Sequence, residues 1–189
     1  MNVYDFDNTI YDGESALDFF FYYIKKTPWL IRYIPKVFYA LFRYKAGKIT
    51  IEKALEDYAP FVEDYLSSIE DIRADSVEFW DSHMKNIKPF YKDIQRPDDV
   101  IVTASPEITM EEICRRLGIG NCIGTVIDEK TNRIKRLCMR SNKVRAFREV
   151  YPDAVIENFY TDSPENDKHL IDLSVNAYLV RKNKIIKIK

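Results

Sequence analysis

The chain has 189 residues, enough for one core domain and a modest insertion, and at 46% hydrophobic and 31% charged it reads as a folded globule rather than a disordered chain. A net charge of −1 excludes the basic surface of a general nucleic-acid binder, and no apolar run is long enough to span a bilayer. Cys114, Cys122 and Cys138 lack metal-ligand spacing; an odd count with no leader segment points to reduced thiols in the cytoplasm, most simply small core residues.

The first strand runs into acid. Residues 3–9 read Val-Tyr-Asp-Phe-Asp-Asn-Thr. Alternate strand residues share a side. Asp5 and Asp7 should therefore face one space beyond the strand's carboxyl end, where open α/β sheets bind ligands. Two anions so close repel, which raises one pKa unless a cation separates them, and hard oxygen ligands suit Mg2+. The plain alternative is a surface turn with two solvated acids.

Tyr11-Asp12-Gly13 makes a turn, and no strand-like alternation follows until about residue 98. Four helices are expected in between. The first covers roughly 14–26, with Ala16, Leu17, Phe20 and Ile24 on one face. Pro28 opens the second, which ends near Gly47. Thr50 suits the N-cap of the third, in which Ile51, Ala54, Leu55, Tyr58, Val62 and Tyr65 keep the helical period. The fourth runs from about Ser68 to Asn86, with Ile69, Ile72, Phe79 and Trp80 inward. Residues 13–87 thus read as a helical unit inserted into a core made of residues 1–12 and 88–189.

Val100-Ile101-Val102-Thr103 is a continuous apolar run ending in a hydroxyl, the pattern of a buried parallel strand. Ala104-Ser105-Pro106 starts a helix that Gly118 closes. Residues 122–138 read as two short strands around a polar tip at 128–133. Ser141 caps a helix carrying Lys143, Val144, Phe147 and Val150, and Pro152 stops it. Val155 to Tyr160 is a strand ending in Thr161-Asp162-Ser163; Pro164 opens a helix through about Leu173. Residues 177–180 and 185–188 close the chain as strands. Alternating strands and helices imply an α/β fold with a parallel sheet. Asp5 and Asp7, Thr103 and Asp162 decorate three separate strand ends.

A carboxylate can attack phosphorus and split hydrolysis into two easier steps. The transferring group carries negative charge and needs cations and donors around it. Lys143 supplies a cation, Thr103 a hydroxyl, and the helix after Ser105 its N-terminal N–H groups. Asp162 and Asp167 with Asp5 would complete a Mg2+ site, and Asp7 would protonate the leaving oxygen and then deprotonate water.

In order along the chain, Asp5-x-Asp7-x-Thr9, the strand ending in Thr103, Lys143, and Asp162-x4-Asp167 resemble the four motifs of the haloacid dehalogenase (HAD) superfamily of phosphatases. The helical insertion resembles the C1 cap of its phosphoserine-phosphatase-like subgroup, as do Val102-Thr-Ala-Ser-Pro-Glu107 and Tyr160-Thr-Asp-Ser163. The resemblance implies a Rossmann-like core with an all-helical C1 cap. It implies Asp5 as nucleophile, Asp7 as general acid and base, and Thr103, Ala104 and Lys143 as phosphoryl-binding groups. It implies Mg2+ held by Asp5, the Asp7 main-chain carbonyl and Asp162, with Asp167 in support.

Two stretches depart from the pattern. The fourth motif, Asp-Ser-Pro-Glu-Asn-Asp, is one residue longer than the subgroup's common form, so Asn166 competes with Asp167 for the supporting position. Met139-Arg-Ser-Asn142 replaces the usual glycine-rich segment before the lysine; Arg140 is either a solvated loop residue or an extra phosphate contact. A response-regulator receiver domain does not fit, because Lys143 precedes Asp162 and a second Asp follows Asp5 by two residues. A dehalogenase needs neither Asp7 nor a metal.

Glu14 lies nine residues after Asp5, where phosphoserine phosphatases place an acid on the substrate amine; an acid favouring the helix dipole reads equally well. Between Asp18 and Glu52 the chain has no acid but carries Lys25, Lys26, Arg32, Lys36, Arg43, Lys45 and Lys48 among many aromatics. Those aromatics suit a cap core with basic groups that attract an anionic substrate, or a helix resting on an anionic membrane. His83 and His169 have no partner at ligand or triad spacing and read as surface residues.

The expected activity is Mg2+-dependent hydrolysis of a small phosphomonoester through an aspartyl-phosphate on Asp5. The same intermediate permits a phosphotransferase or a lipid-phosphate phosphatase. A non-catalytic phosphate-binding or membrane-surface module is the alternative of another class.

Overall fold

Seven short runs build one sheet: β1 (Asn2–Tyr4), β2 (Val100–Pro106), β3 (Asn121–Asp128), β4 (Arg133–Arg136), β5 (Ile156–Thr161), β6 (Ser174–Arg181) and β7 (Lys184–Lys187). Their order across the sheet is β4-β3-β2-β1-β5-β6-β7. The five inner strands are parallel, and β4 and β7 close the edges antiparallel. The computed structural model describes all residues except 50–52, 54–60 and 62–63, so the expected third helix falls mostly outside the described residues.

β1 lies at the centre, between β2 and β5, and is buried along its whole length. Its alternation feeds two cores. Val3 joins Val100, Val102, Phe147, Ile156 and Phe159 on one face. Tyr4 joins Phe6, Tyr11, Tyr91 and Ile101 on the other. Tyr4 stacks on Tyr160 at 4.5 Å and meets the Tyr91 ring edge-on at 5.0 Å. Parallel neighbours end on the same side, so the carboxyl ends of β1, β2 and β5 open together.

The helices are α1 (Ser15–Lys26), α2 (Ile34–Lys45), α3 (Ile72–His83), α4 (Pro89–Ile94), α5 (Glu107–Leu117), α6 (Ser141–Val150) and α7 (Lys168–Leu173), with 3-10 turns at Pro28–Tyr33 and Met84–Asn86. Several differ from the sequence reading for identifiable reasons. α1 turns Ser15, Phe19, Phe20 and Tyr23 inward and leaves Ala16 exposed, because the Ser15 N–H is anchored on Asp7. The segment opened by Pro28 winds first as a 3-10 turn before α2. α3 starts later than Ser68, where the Asp71 carboxylate accepts the N–H groups of Arg73 and Ala74. The short α4, with Pro at its start, had no apolar period to announce it. β2 continues through Pro106 before α5 begins. Ser141 is the first residue of α6; Arg140 precedes it with φ +51. Pro164 begins a turn, and α7 starts only at Lys168, after Asp167.

α3 is fastened to the sheet side of the molecule. Trp80 and Phe79 belong to the same buried cluster as Tyr4 and Phe6, and Trp80 Nε1 donates to the Thr109 carbonyl at 2.8 Å. Arg73 reaches Glu111 and Glu129 at 3.1 and 2.7 Å, and Arg116 reaches Asp81 at 2.8 Å. Farther out, Tyr23, Leu30 and Tyr33 form a small cluster of their own. All three cysteines are free thiols.

Candidate active site

The site grows from the loop after β1. The Asp5 N–H still bonds the Tyr160 carbonyl at 2.9 Å, so Asp5 keeps sheet register. The chain then turns tightly, with the N–H groups of Thr9, Ile10 and Tyr11 all directed at the Phe6 carbonyl. Asn8 takes φ +57, a left-handed conformation that Asn tolerates better than most residues. This geometry turns Asp5 and Asp7 into one cavity of about 170 Å³, which Glu14, Ala104, Lys143, Asp162 and Asp167 also line.

Lys143 is the hub. Its Nζ stands 2.7 Å from Asp5 Oδ1 and 2.7 Å from Asp167 Oδ1, with all three groups buried. Burial works against the ammonium charge, but Asp5 and Asp167 outweigh it and hold the Lys143 pKa above its ordinary range. Asp167 also accepts the Thr161 hydroxyl at 2.7 Å, whereas Asn166 is exposed and donates to Ser163. Of the two competitors in the longer fourth motif, Asp167 is thus the one whose side chain reaches the lysine. The absence of glycines before Lys143 does not keep it away.

Asp7 is held differently. Its carboxylate accepts the Ser15 N–H at 2.6 Å and the Ser105 hydroxyl at 2.8 Å. The two serine hydroxyls meet each other at 2.9 Å, which ties the start of α1 to the end of β2. Thr103 is fully buried; its hydroxyl lies 3.5 Å from Asp7 and accepts the Ser105 N–H at 3.1 Å. Glu14 sits exposed at the cavity mouth and accepts from the Asn8 side chain at 2.8 Å. Arg140 lines the same cavity.

Several participants escape a linear reading. Ser15 and Ser105 look like ordinary helix-start residues. Thr9, quoted in the first motif without a role, donates to Asp5 at 3.3 Å and accepts the Asp162 N–H at 2.8 Å, joining the first and fourth motifs. Lys88 is buried and donates to the Asn8 carbonyl; burial lowers its pKa against the opposing pull of Asp12 and Asp162. Its only sequence signal is a lysine beside Pro89 in an apolar context. His169 is exposed as expected, while His83 is partly buried, stacked on Phe79 at 4.0 Å.

Burial raises the pKa of Asp5, Asp7 and Asp162. Lys143 opposes the rise at Asp5, and Asp167 adds to it at Asp5 and Asp162. The cavity therefore gathers more carboxylates than cations, a charge excess that a divalent cation relieves. Among the described residues no three His, Cys, Asp or Glu side chains form a metal-holding group. The resemblance implies a smaller set, the Asp5 and Asp162 carboxylates with the Asp7 main-chain carbonyl, hard oxygens of the kind that suits Mg2+, and both carboxylates line the cavity. The Asp7 side chain faces the two serines and that of Asp167 faces Lys143 and Thr161.

The family model described as haloacid dehalogenase-like hydrolase matches residues 3–171. No protein of curated function matches the sequence. Among solved structures, a protein of unknown function from Bordetella pertussis Tohama I superposes with a TM-score of 0.76 at 20% identity, covering 94% of this chain and 87% of that one. A phosphoserine phosphohydrolase-like protein from Francisella tularensis subsp. tularensis SCHU S4 superposes with a TM-score of 0.62 at 15% identity, over 97% of this chain and 88% of that one. A HAD family hydrolase from Salmonella enterica subsp. enterica serovar Typhi gives 0.64 at 13% identity, over 91% of this chain and 59% of that one. At these identities the structures share the fold.

Proposed function

The chain belongs to the haloacid dehalogenase-like hydrolase family, and we propose that within it the protein is a Mg2+-dependent phosphatase that hydrolyses a small phosphomonoester through an aspartyl-phosphate on Asp5. The observation that carries this reading is the pairing of Asp5 and Asp7 in one cavity, with Lys143 bridging Asp5 to Asp167. A solvated turn has no use for a buried lysine between two acids. A binding module has no use for a second acid held by two serines beside the first.

In the first step an Asp5 oxygen bonds to phosphorus as the ester P–O bond breaks, and Asp7 gives its proton to the departing oxygen. Burial raises the Asp7 pKa, against the pull of its hydrogen bonds from Ser15 and Ser105. In the second step water attacks phosphorus, its proton returns to Asp7, and the Asp5–phosphorus bond breaks to release phosphate. Ser15 and Ser105 keep the Asp7 carboxyl aimed through both steps. Lys143 restrains Asp5 and, with the main chain at Ala104, faces the phosphoryl oxygens, whereas the Thr103 hydroxyl, expected to bind phosphate, is fully buried against Asp7 and the Ser105 N–H. Mg2+ held by Asp5, Asp162 and the Asp7 carbonyl would neutralise charge on the phosphoryl group. The cavity of about 170 Å³ suits a phosphoryl group, which leaves substrate choice to groups at its mouth such as Glu14.

The test is phosphate release from para-nitrophenyl phosphate and a panel of metabolite phosphates, with and without Mg2+, beside Asp5→Asn. Turnover that needs Mg2+ and disappears in Asp5→Asn is expected. Near-normal turnover by the variant would overturn the assignment of the nucleophile.

A further inference from the structure

The outer surface of the cap has no role in the chemistry above. Trp29, Ile31, Phe38, Tyr39 and Phe42 stand 44–62% exposed. They are not stragglers from a missing core, because α2 already has an inner face. Tyr33 is buried beside it, and Ile34, Val37 and Ala40 are partly buried. Phe38, Tyr39 and Phe42, at i, i+1 and i+4, lie together on the exposed side of the helix. Large rings held in water on one helix face mark a surface made for something outside the fold.

Charge says what. The Arg32 guanidinium lies 4.5 Å from the Trp29 ring centre, Arg43 lies 5.7 Å from Tyr39, and Lys48 lies 5.8 Å from Phe42. Lys36 sits 5.5 Å from the Tyr33 ring. Among the described residues none of these four cations has a carboxylate partner, whereas Lys26 is tied to Asp75 and Glu78. No acid interrupts the sequence from Asp18 to Glu52, although the chain as a whole carries −1. A second copy does not suit this face, since a two-fold contact would set its cations against themselves. Ile31 stands exposed among the rings, an aliphatic side chain that a lipid interface takes in and a stack of bases does not use.

We propose that this face docks the protein on an anionic membrane surface. Trp29, Ile31, Phe38, Tyr39 and Phe42 enter the interfacial layer, and Arg32, Lys36, Arg43 and Lys48 meet lipid phosphates. The rings supply apolar area and the cations supply selectivity for anionic lipid. The proposal does not depend on the reaction at Asp5. α1 nevertheless links the two places, because Ser15 holds Asp7 at its start and Phe21 packs against Phe38 at 6.3 Å between ring centres.

Flotation of the full chain with vesicles of phosphatidylcholine, alone or mixed with phosphatidylglycerol, tests this. Association with the mixed vesicles alone, weakened by salt, is expected. Trp80 is buried and Trp29 is exposed, so a blue shift of tryptophan emission on binding would report Trp29. Phe38→Ser with Phe42→Ser should weaken association at least about tenfold, and Lys36→Gln about fivefold. The two tests are independent, and circular dichroism checks that each variant folds. Absence of salt-sensitive association would overturn the proposal, as would variants that bind as well as the parent. Binding to a single-stranded oligonucleotide instead of vesicles, or a dimer dispersed by the Phe variants, would also overturn it.

Discussion

At the carboxyl ends of β1, β2 and β5 polar groups are buried, while on α2 apolar rings stand in water. In the first region each buried side chain meets another: Asp5 and Asp167 share Lys143, Thr161 meets Asp167, and Thr9 joins Asp5 to the Asp162 main chain. Burial without partners is costly, so such a cluster survives only when fully connected. In the second region Phe38 and Phe42 leave most of their surface in water, being 54% and 62% exposed. The site is thus shaped from within, by mutual satisfaction. On the cap surface the proposed membrane contact would do what internal partners do in the site.

The comparison is broken most severely at Lys143. Lys143→Ala leaves Asp5 and Asp167 buried and facing each other without their shared cation, and loss of about 3–5 kcal/mol of stability is expected in urea unfolding. A wild-type unfolding midpoint would show that the triad does not hold the strand ends together. Phe79→Ala probes the join between cap and sheet, since Phe79 is buried in the cluster shared with Tyr4 and Trp80. About 3–5 kcal/mol should be lost in the same measurement, for a cavity there has no easy way to collapse. Ser105→Ala removes one of the two anchors on Asp7. Turnover should fall about 10- to 100-fold with little change in KM, and Ser105→Thr should recover part of it. An unchanged kcat would mean that Ser15 alone aims Asp7. Phe42→Ser completes the contrast: its effect on thermal stability should stay within about 0.5 kcal/mol, because the ring is already in water.

The residues that could be found along the chain were those whose context is local. Asp5 and Asp7 follow an apolar strand directly, Thr103 ends the apolar run of β2, and Asp162 follows β5, so strand and decoration are adjacent in sequence. The polar hairpin tip at 128–133 and the stop at Gly118 were legible for the same reason. Ser15, Ser105 and Lys88 were not, and Thr9, though part of the first motif, carried no stated role. Each sits in an ordinary local setting and matters only because a partner from another strand end arrives beside it. The inner face of α1 was read about one residue out of phase, since its period alone fits more than one phase. The anchor of Ser15 on Asp7 selects the phase.

By itself the sequence determined the strands and most of the described helices, which strand ends carry acids, and in what order the four motifs come, because those depend on spacing along one chain. The tertiary structure decided which acid of the longer fourth motif meets Lys143, how Asp7 is held, and which aromatics of the cap are left outside. These depend on distances between residues far apart in sequence, and packing sets such distances only once every layer is in place.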